Sequence, residues 1–152
     1  MSERYTQIVL LIIAVIFIVL LYQLPTSVID NKDVQNQVNE NFSLERAIEL
    51  VESDNPMEGI FMLRDIIEKN PENTDALYYL GVLSLKTAQY ENAAKRFNQI
   101  IFIDSSDKRA YLQLGFSNYY LGKYKTADSL FNIVMKSGDS LLIKDLDFFL
   151  KK

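Results

Sequence analysis

Apolar residues are spread unevenly along the chain, and the unevenness divides it into three zones. Residues 8–21, IVLLIIAVIFIVLL, contain no polar side chain at all. Residues 25–42, PTSVIDNKDVQNQVNENF, are polar and Asn/Gln-rich, without a sustained period. From residue 43 onward the pattern is that of amphipathic helices separated by short polar turns. SLERAIELVES (43–53) and PMEGIFMLRDIIEKN (56–70) predict a helix pair, with Pro56 tolerated in a first turn. Near the end Gly138 is a helix-stopping residue, and Asp139 or Ser140 can cap a last helix, LLIKDLDFFLKK. Leu142, Leu146, Phe149 and Leu150 form the apolar stripe of that helix.

The first zone reads as a membrane span. Extended to Tyr5–Leu24 it is 20 residues, about 30 Å as a helix, which matches a hydrocarbon core. Tyr5 and Tyr22 lie near the two ends, where interfacial aromatics belong, and Pro25 follows where the helix should stop. A cleaved signal peptide is the competing reading, since 14 apolar residues also suit such a segment. Against it, Arg4 is the single base of the leading segment and is offset by Glu3. No small-x-small cleavage site follows either, because Thr26-Ser27 puts Pro25 at the −3 position. A buried helix of a soluble protein is the third option. Arg4 and the α-amine on one side, against Lys32 on the other, tilt the orientation toward a cytoplasmic N-terminus and a periplasmic or extracytoplasmic C-terminal domain. The second zone then serves as a polar tether, although Val28, Val34, Val38 and Phe42 could also support an irregular helix. As a coil it spans on the order of 25 Å.

The strongest signal is an internal repeat. At an offset of 34 residues Leu80 meets Leu114, Gly81 meets Gly115, Tyr90 meets Tyr124, Ala93 meets Ala127, Phe97 meets Phe131 and Asn98 meets Asn132. Small residues recur where two helices would cross, and an aromatic recurs four residues after the Ala. A degenerate copy lies one period earlier: Ala47 takes the Gly position, Gly59 the Ala position and Leu63 the Phe position, with Arg46 where Leu is expected.

On these residues the chain resembles the tetratricopeptide repeat family, whose unit is a 34-residue helix–turn–helix. The resemblance implies an all-α solenoid of about three repeats, near 43–73, 74–107 and 108–140, closed by a capping helix at 141–152. Ahead of it stand the transmembrane helix, 1–24, and the tether, 25–42. It also implies a groove lined by the first helix of each repeat. Carried over position by position, the candidate protein-binding residues are Tyr78, Val82, Leu85 and Lys86 from one repeat and Arg109, Leu112, Phe116, Tyr119 and Tyr120 from the next. Asn41, Leu44, Ile48 and Val51 are their counterparts in the first repeat. This lining is apolar and aromatic. It lacks the Lys, Arg and Asn set with which some family members grip a terminal carboxylate, and it suits an amphipathic helix or a hydrophobic peptide. The groove residues could equally be buried by their neighbours, and the tether or the last helix could fill the groove.

Composition narrows the chemistry. The 152 residues include no Cys, His or Trp, which removes disulfides, thiol nucleophiles, Cys/His zinc sites and His relays. Asp104, Asp107 and Ser105-Ser106 read as turn and cap residues, and no Gly-rich phosphate loop occurs. The expectation is therefore no enzyme, no cofactor, no metal and no small-molecule substrate. A net charge of −4 argues against nucleic acid as a partner. The charge is also graded. Residues 43–75 carry nine acids against Arg46, Arg64 and Lys69, whereas 76–152 carry eleven bases against seven acids. The expected partners are the lipid bilayer, through Tyr5–Leu24, and another protein or membrane complex, such as an envelope translocation or assembly machine. A permanent structural subunit and a cytosol-facing import receptor are the rival layouts.

Overall fold

The computed structural model describes residues 5, 7, 13–17, 19, 31–53 and 56–151. The chain divides into two compact units, residues 1–37 and 38–152. In the first unit residues 13–17 are helical, and all five side chains are exposed. Tyr5, Gln7 and Val19 are helical and exposed as well, and the rest of the predicted span Tyr5–Leu24 lies outside the described residues. Among the described residues no helix is long and apolar enough to cross a membrane.

Seven helices have assigned bounds: α1 (Asn31–Glu52), α2 (Pro56–Lys69), α3 (Thr74–Lys86), α4 (Tyr90–Ile103), α5 (Lys108–Tyr120), α6 (Tyr124–Ser137) and α7 (Ser140–Leu150). The tether expected at 25–42 is thus helical from Asn31 onward. Its Asn residues are poor helix formers, but Gln is a good one, no Gly or Pro interrupts 31–52, and the helix runs on into the first repeat.

Starts and stops follow the side chains that satisfy free backbone groups. Asn73 Oδ1 accepts from the Ala76 amide at 2.9 Å to start α3. Asp107 Oδ1 accepts from the Arg109 and Ala110 amides to start α5. Asp139 Oδ1 accepts from the Leu141 and Leu142 amides at 3.0 and 3.2 Å to start α7. Gly138 ends α6 with φ +73°, a conformation that disfavours any side chain.

The helices form antiparallel pairs, α3 with α4 and α5 with α6, and each pair stacks on the next. The core is correspondingly a row of three clusters, each made by one repeat and the first helix of its successor. Ala47, Leu63 and Ile66 pack with Ala76 and Leu80. Leu77, Ala93, Phe97 and Ile100 pack with Ala110 and Leu114. Leu112, Ala127, Phe131 and Val134 pack with Leu146 of α7. The last helix therefore takes the place of a fourth repeat's first helix, as expected of a cap; Leu146 is buried, but Leu150 of the predicted stripe is exposed.

The repeat's small residues act at contact distance. A Cβ on Gly81 would stand 2.6 Å from the Phe97 ring, and one on Gly115 would collide with the Phe131 ring. Phe97 thus rests on the glycine of its own repeat while reaching the next. In the degenerate first repeat Gly59 lies against the backbone of Ala47 and Val51, so this pair of small residues marks a true crossing of α1 and α2.

Candidate functional site

The first helices α3 and α5 lie side by side, and their shared face carries the residues assigned to the groove. Tyr78 is half-buried, with its ring edge-on to Phe97 at 5.9 Å between centroids. Burial pushes its phenol above the ordinary tyrosine pKa, against the lowering effect of Gln113 and Arg109. Gln113 Nε2 donates to the Tyr78 hydroxyl at 3.4 Å, and the Arg109 guanidinium covers the ring at 5.1 Å. Arg109 in turn donates to Asp107 Oδ2 at 2.8 Å and to Asp75 Oδ1 at 3.4 Å. These carboxylates, Asp107 foremost, hold the guanidinium still more firmly protonated than usual. Its charge is therefore spent inside the domain, as part of a brace between successive repeats. Lys86 is exposed, while Val82 and Leu85 are half-buried against the middle core cluster.

At the α5 end the predicted lining changes character. Leu112 is only 1% exposed and belongs to the core. Its assignment to a partner-facing groove is corrected: α7 packs against this repeat and contributes Leu146 to the same cluster. Phe116 is also largely taken up, with its ring 4.2 Å from that of Phe149 and 5.7 Å from that of Phe131. Tyr119 and Tyr120 remain 40% and 52% exposed. Both meet Phe149 edge-on at 5.1 and 5.7 Å, and Tyr120 stacks on Tyr90 at 4.8 Å. The available face is therefore Tyr78, Val82, Leu85, Lys86, Tyr119 and Tyr120, bordered by the braced Arg109. Of the first-repeat counterparts, Leu44 and Val51 pack against the first core cluster, and the Asn41 side chain lies outside the described residues.

Sequence reasoning missed four participants. Tyr90 and Gln113 join the face from positions the repeat pattern does not assign to a groove. Phe149, a cap-stripe residue by its spacing, is the side chain by which the last helix covers Phe116. The fourth is a cavity between α2 and α4, lined by Arg64, Lys95 and Arg96. Arg64 and Arg96 are 32 residues apart, off the repeat offset, so no periodicity joins them. The Lys95-Arg96 pair on a second helix was the available signal. Among the described residues no acidic cluster could hold a metal ion. Asp104 and Asp107 serve the turn, where Asp104 Oδ1 accepts from the Ser106 amide and hydroxyl at 2.8 and 2.7 Å.

Paired helices, stacked one pair on the next and presenting a first-helix face, define a helical repeat solenoid. Residues 75–101 and 109–137 each match the sequence model of the tetratricopeptide repeat, so the chain carries tetratricopeptide repeats in its second and third helix pairs. A solved structure described as the second TPR of Spaghetti (RPAP3), bound to HSP90 peptide SRMEEVD, is similar in fold. The similarity has a TM-score of 0.61 at 23% identity, and covers 68% of this chain and 96% of that one. No curated protein matches the chain in sequence.

Proposed function

We propose that the chain is a non-enzymatic, membrane-anchored adaptor that holds an apolar segment of a partner protein on the face of α3 and α5. The observation that carries this reading is the exposed aromatic face itself. Tyr119 and Tyr120 of α5, with Tyr78, Val82 and Leu85 of α3, offer rigid amphipathic contact area with little side-chain entropy left to lose. The Arg109 charge beside Tyr78 is already neutralised by Asp107 and Asp75. A neutral, apolar helix or peptide fits such a lining better than an acidic terminus. The peptide-bound RPAP3 domain supports peptide capture as a use of this fold.

Anchoring rests on the apolar run Tyr5–Leu24, and the exposure of each of residues 13–17 around a helical turn supports it. A helix apolar on every side needs an apolar surrounding. In this reading the N-terminus is cytoplasmic and the solenoid stands on the periplasmic or extracytoplasmic side, within an envelope translocation or assembly complex. The occupation of Phe116 and Leu112 by α7 favours a second reading, a permanent subunit with no exchangeable ligand.

The test is detergent co-purification of the full chain with its stoichiometric partner, repeated with a Tyr119→Ser, Tyr120→Ser double variant. Loss of the partner at unchanged helicity is expected. Full retention removes the adaptor reading, and loss of the complex on replacing the span alone favours the fixed subunit. Resistance to alkaline extraction from membranes and protease accessibility in sealed vesicles check the anchor and its orientation.

A further inference from the structure

The cations of the solenoid are unequally compensated. Arg109 and Arg46 each have a carboxylate within 2.8 Å. Arg64 of α2 and Lys95 and Arg96 of α4 instead line one cavity of about 260 Å³, walled by Ile67, Leu77 and Leu80. A neighbouring cavity of about 100 Å³ again shares Arg64 and Arg96. Among the described residues no carboxylate reaches ion-pair distance of any of these three cations.

Arg96 is half-buried and held in place, donating to Ser84 Oγ at 3.0 Å and to the Asn92 carbonyl at 3.3 Å. Those two bonds leave other N–H donors of its fork unused. Burial pushes its guanidinium below the ordinary arginine value, and the charge of Arg64 pushes it further. Two arginines repelling one another beside an apolar wall do not help the fold. Such an arrangement becomes favourable when an anion enters between them.

We propose that this cavity binds an acidic peptide segment of a partner protein, in which carboxylates flank an apolar side chain. The guanidinium forks of Arg64 and Arg96 take the carboxylates, Lys95 adds charge at the rim, and the apolar side chain packs on Ile67 above the buried Leu77 and Leu80. The half-buried Ile67 is what favours a peptide over a bare anion, because it gives an apolar side chain a seat beside the charge that an anion would leave unused. Planar forks also match carboxylates in paired geometry. The cavity shares no residue with the α3–α5 face, so the inference stands independently of the function proposed for that face.

The experiment follows the arginine side-chain Nε–H resonances by NMR in the full chain, kept in a non-ionic detergent. It is titrated with blocked Glu-Leu-Glu peptide, with its Gln-Leu-Gln counterpart and with inorganic phosphate. Saturable shifts of Arg64 and Arg96 by the acidic peptide alone are expected, while Arg46 and Arg109 stay in place because they already hold carboxylates. Arg64→Gln should weaken binding about tenfold or more. It should leave the thermal midpoint unchanged or raised, since Arg64 makes no hydrogen bond among the described residues and its repulsion is removed. A lowered midpoint would mean a structural role and overturn the proposal. Absent shifts, equal shifts with the Gln peptide, or phosphate binding as tight as the peptide would overturn it too. So would self-association that Arg64→Gln abolishes, which would seat a second copy's acidic helix in the cavity.

Discussion

Ala88 and Gly122 occupy the same place in successive repeats, the turn between first and second helix, and both are left-handed, with φ +55° and +73°. Glycine adopts that backbone freely, whereas alanine at such a position costs about 1 kcal/mol. Ala88 is exposed, so no packing offsets the strain. Ala88→Gly should therefore stabilise the domain by about 1 kcal/mol in urea unfolding, and Gly122→Ala should destabilise it by a similar amount. The crossing glycines differ from these in mechanism. At Gly81 an added Cβ meets the ring of Phe97 at 2.6 Å, but at Gly59 it meets the backbone of Ala47 at 2.5 Å. A ring can tilt and a helix backbone cannot, so Gly59→Ala should cost more than Gly81→Ala, which overpacking places at about 1–3 kcal/mol. An equal or smaller loss at Gly59 would mean that α1 docks loosely. Tyr78 adds a pH dependence. Its phenol is raised by burial, so the stability it contributes is complete below pH 10 and is lost as pH rises through the higher folded value. Tyr78→Phe should flatten that alkaline decline in pH-dependent unfolding.

Among the helices, the caps and the last helix govern how far the stack extends. Asp139 alone supplies the side-chain cap of α7, and Asp139→Ala should cost about 1 kcal/mol. Asp107→Ala should cost more, because Asp107 both starts α5 and holds Arg109. Thermal unfolding of the two variants checks the order. Much of this arrangement is legible in the sequence. The 34-residue offset pairs Gly81 with Gly115 and Phe97 with Phe131, and Ala47 and Gly59 meet even in the degenerate copy. Legibility fails where a residue's fate depends on a neighbour outside its own repeat. Leu112 holds a groove position in the pattern, yet α7 joins it in the core. Phe116 sits at the next such position and is covered by Phe149. Within the tether, residues 31–42 took the helical alternative, because no Gly or Pro follows Asn31 to interrupt it, while residues 25–30 lie outside the described residues.

For the whole molecule, chemistry is sorted by helix. First helices supply an aromatic face whose arginine is already paired, and second helices supply a cavity whose arginines are not. A chain without Cys, His or Trp thus has two chemically different surfaces available for partners, one apolar and one cationic. The aromatic face was reached through the repeat, since positions 78, 82, 85 and 86 lie one offset from 112, 116, 119 and 120. The cationic cavity was not, because Arg64 and Arg96 share no periodic relation. The central claim is that a partner sits on the α3–α5 face. It is tested most directly by a photo-crosslinking amino acid placed in the full chain at Tyr120, and in a second version at Ser129, which is exposed on α6. The account predicts one stoichiometric crosslinked protein from position 120 and none from 129. Crosslinking at 129 with none at 120 would contradict it.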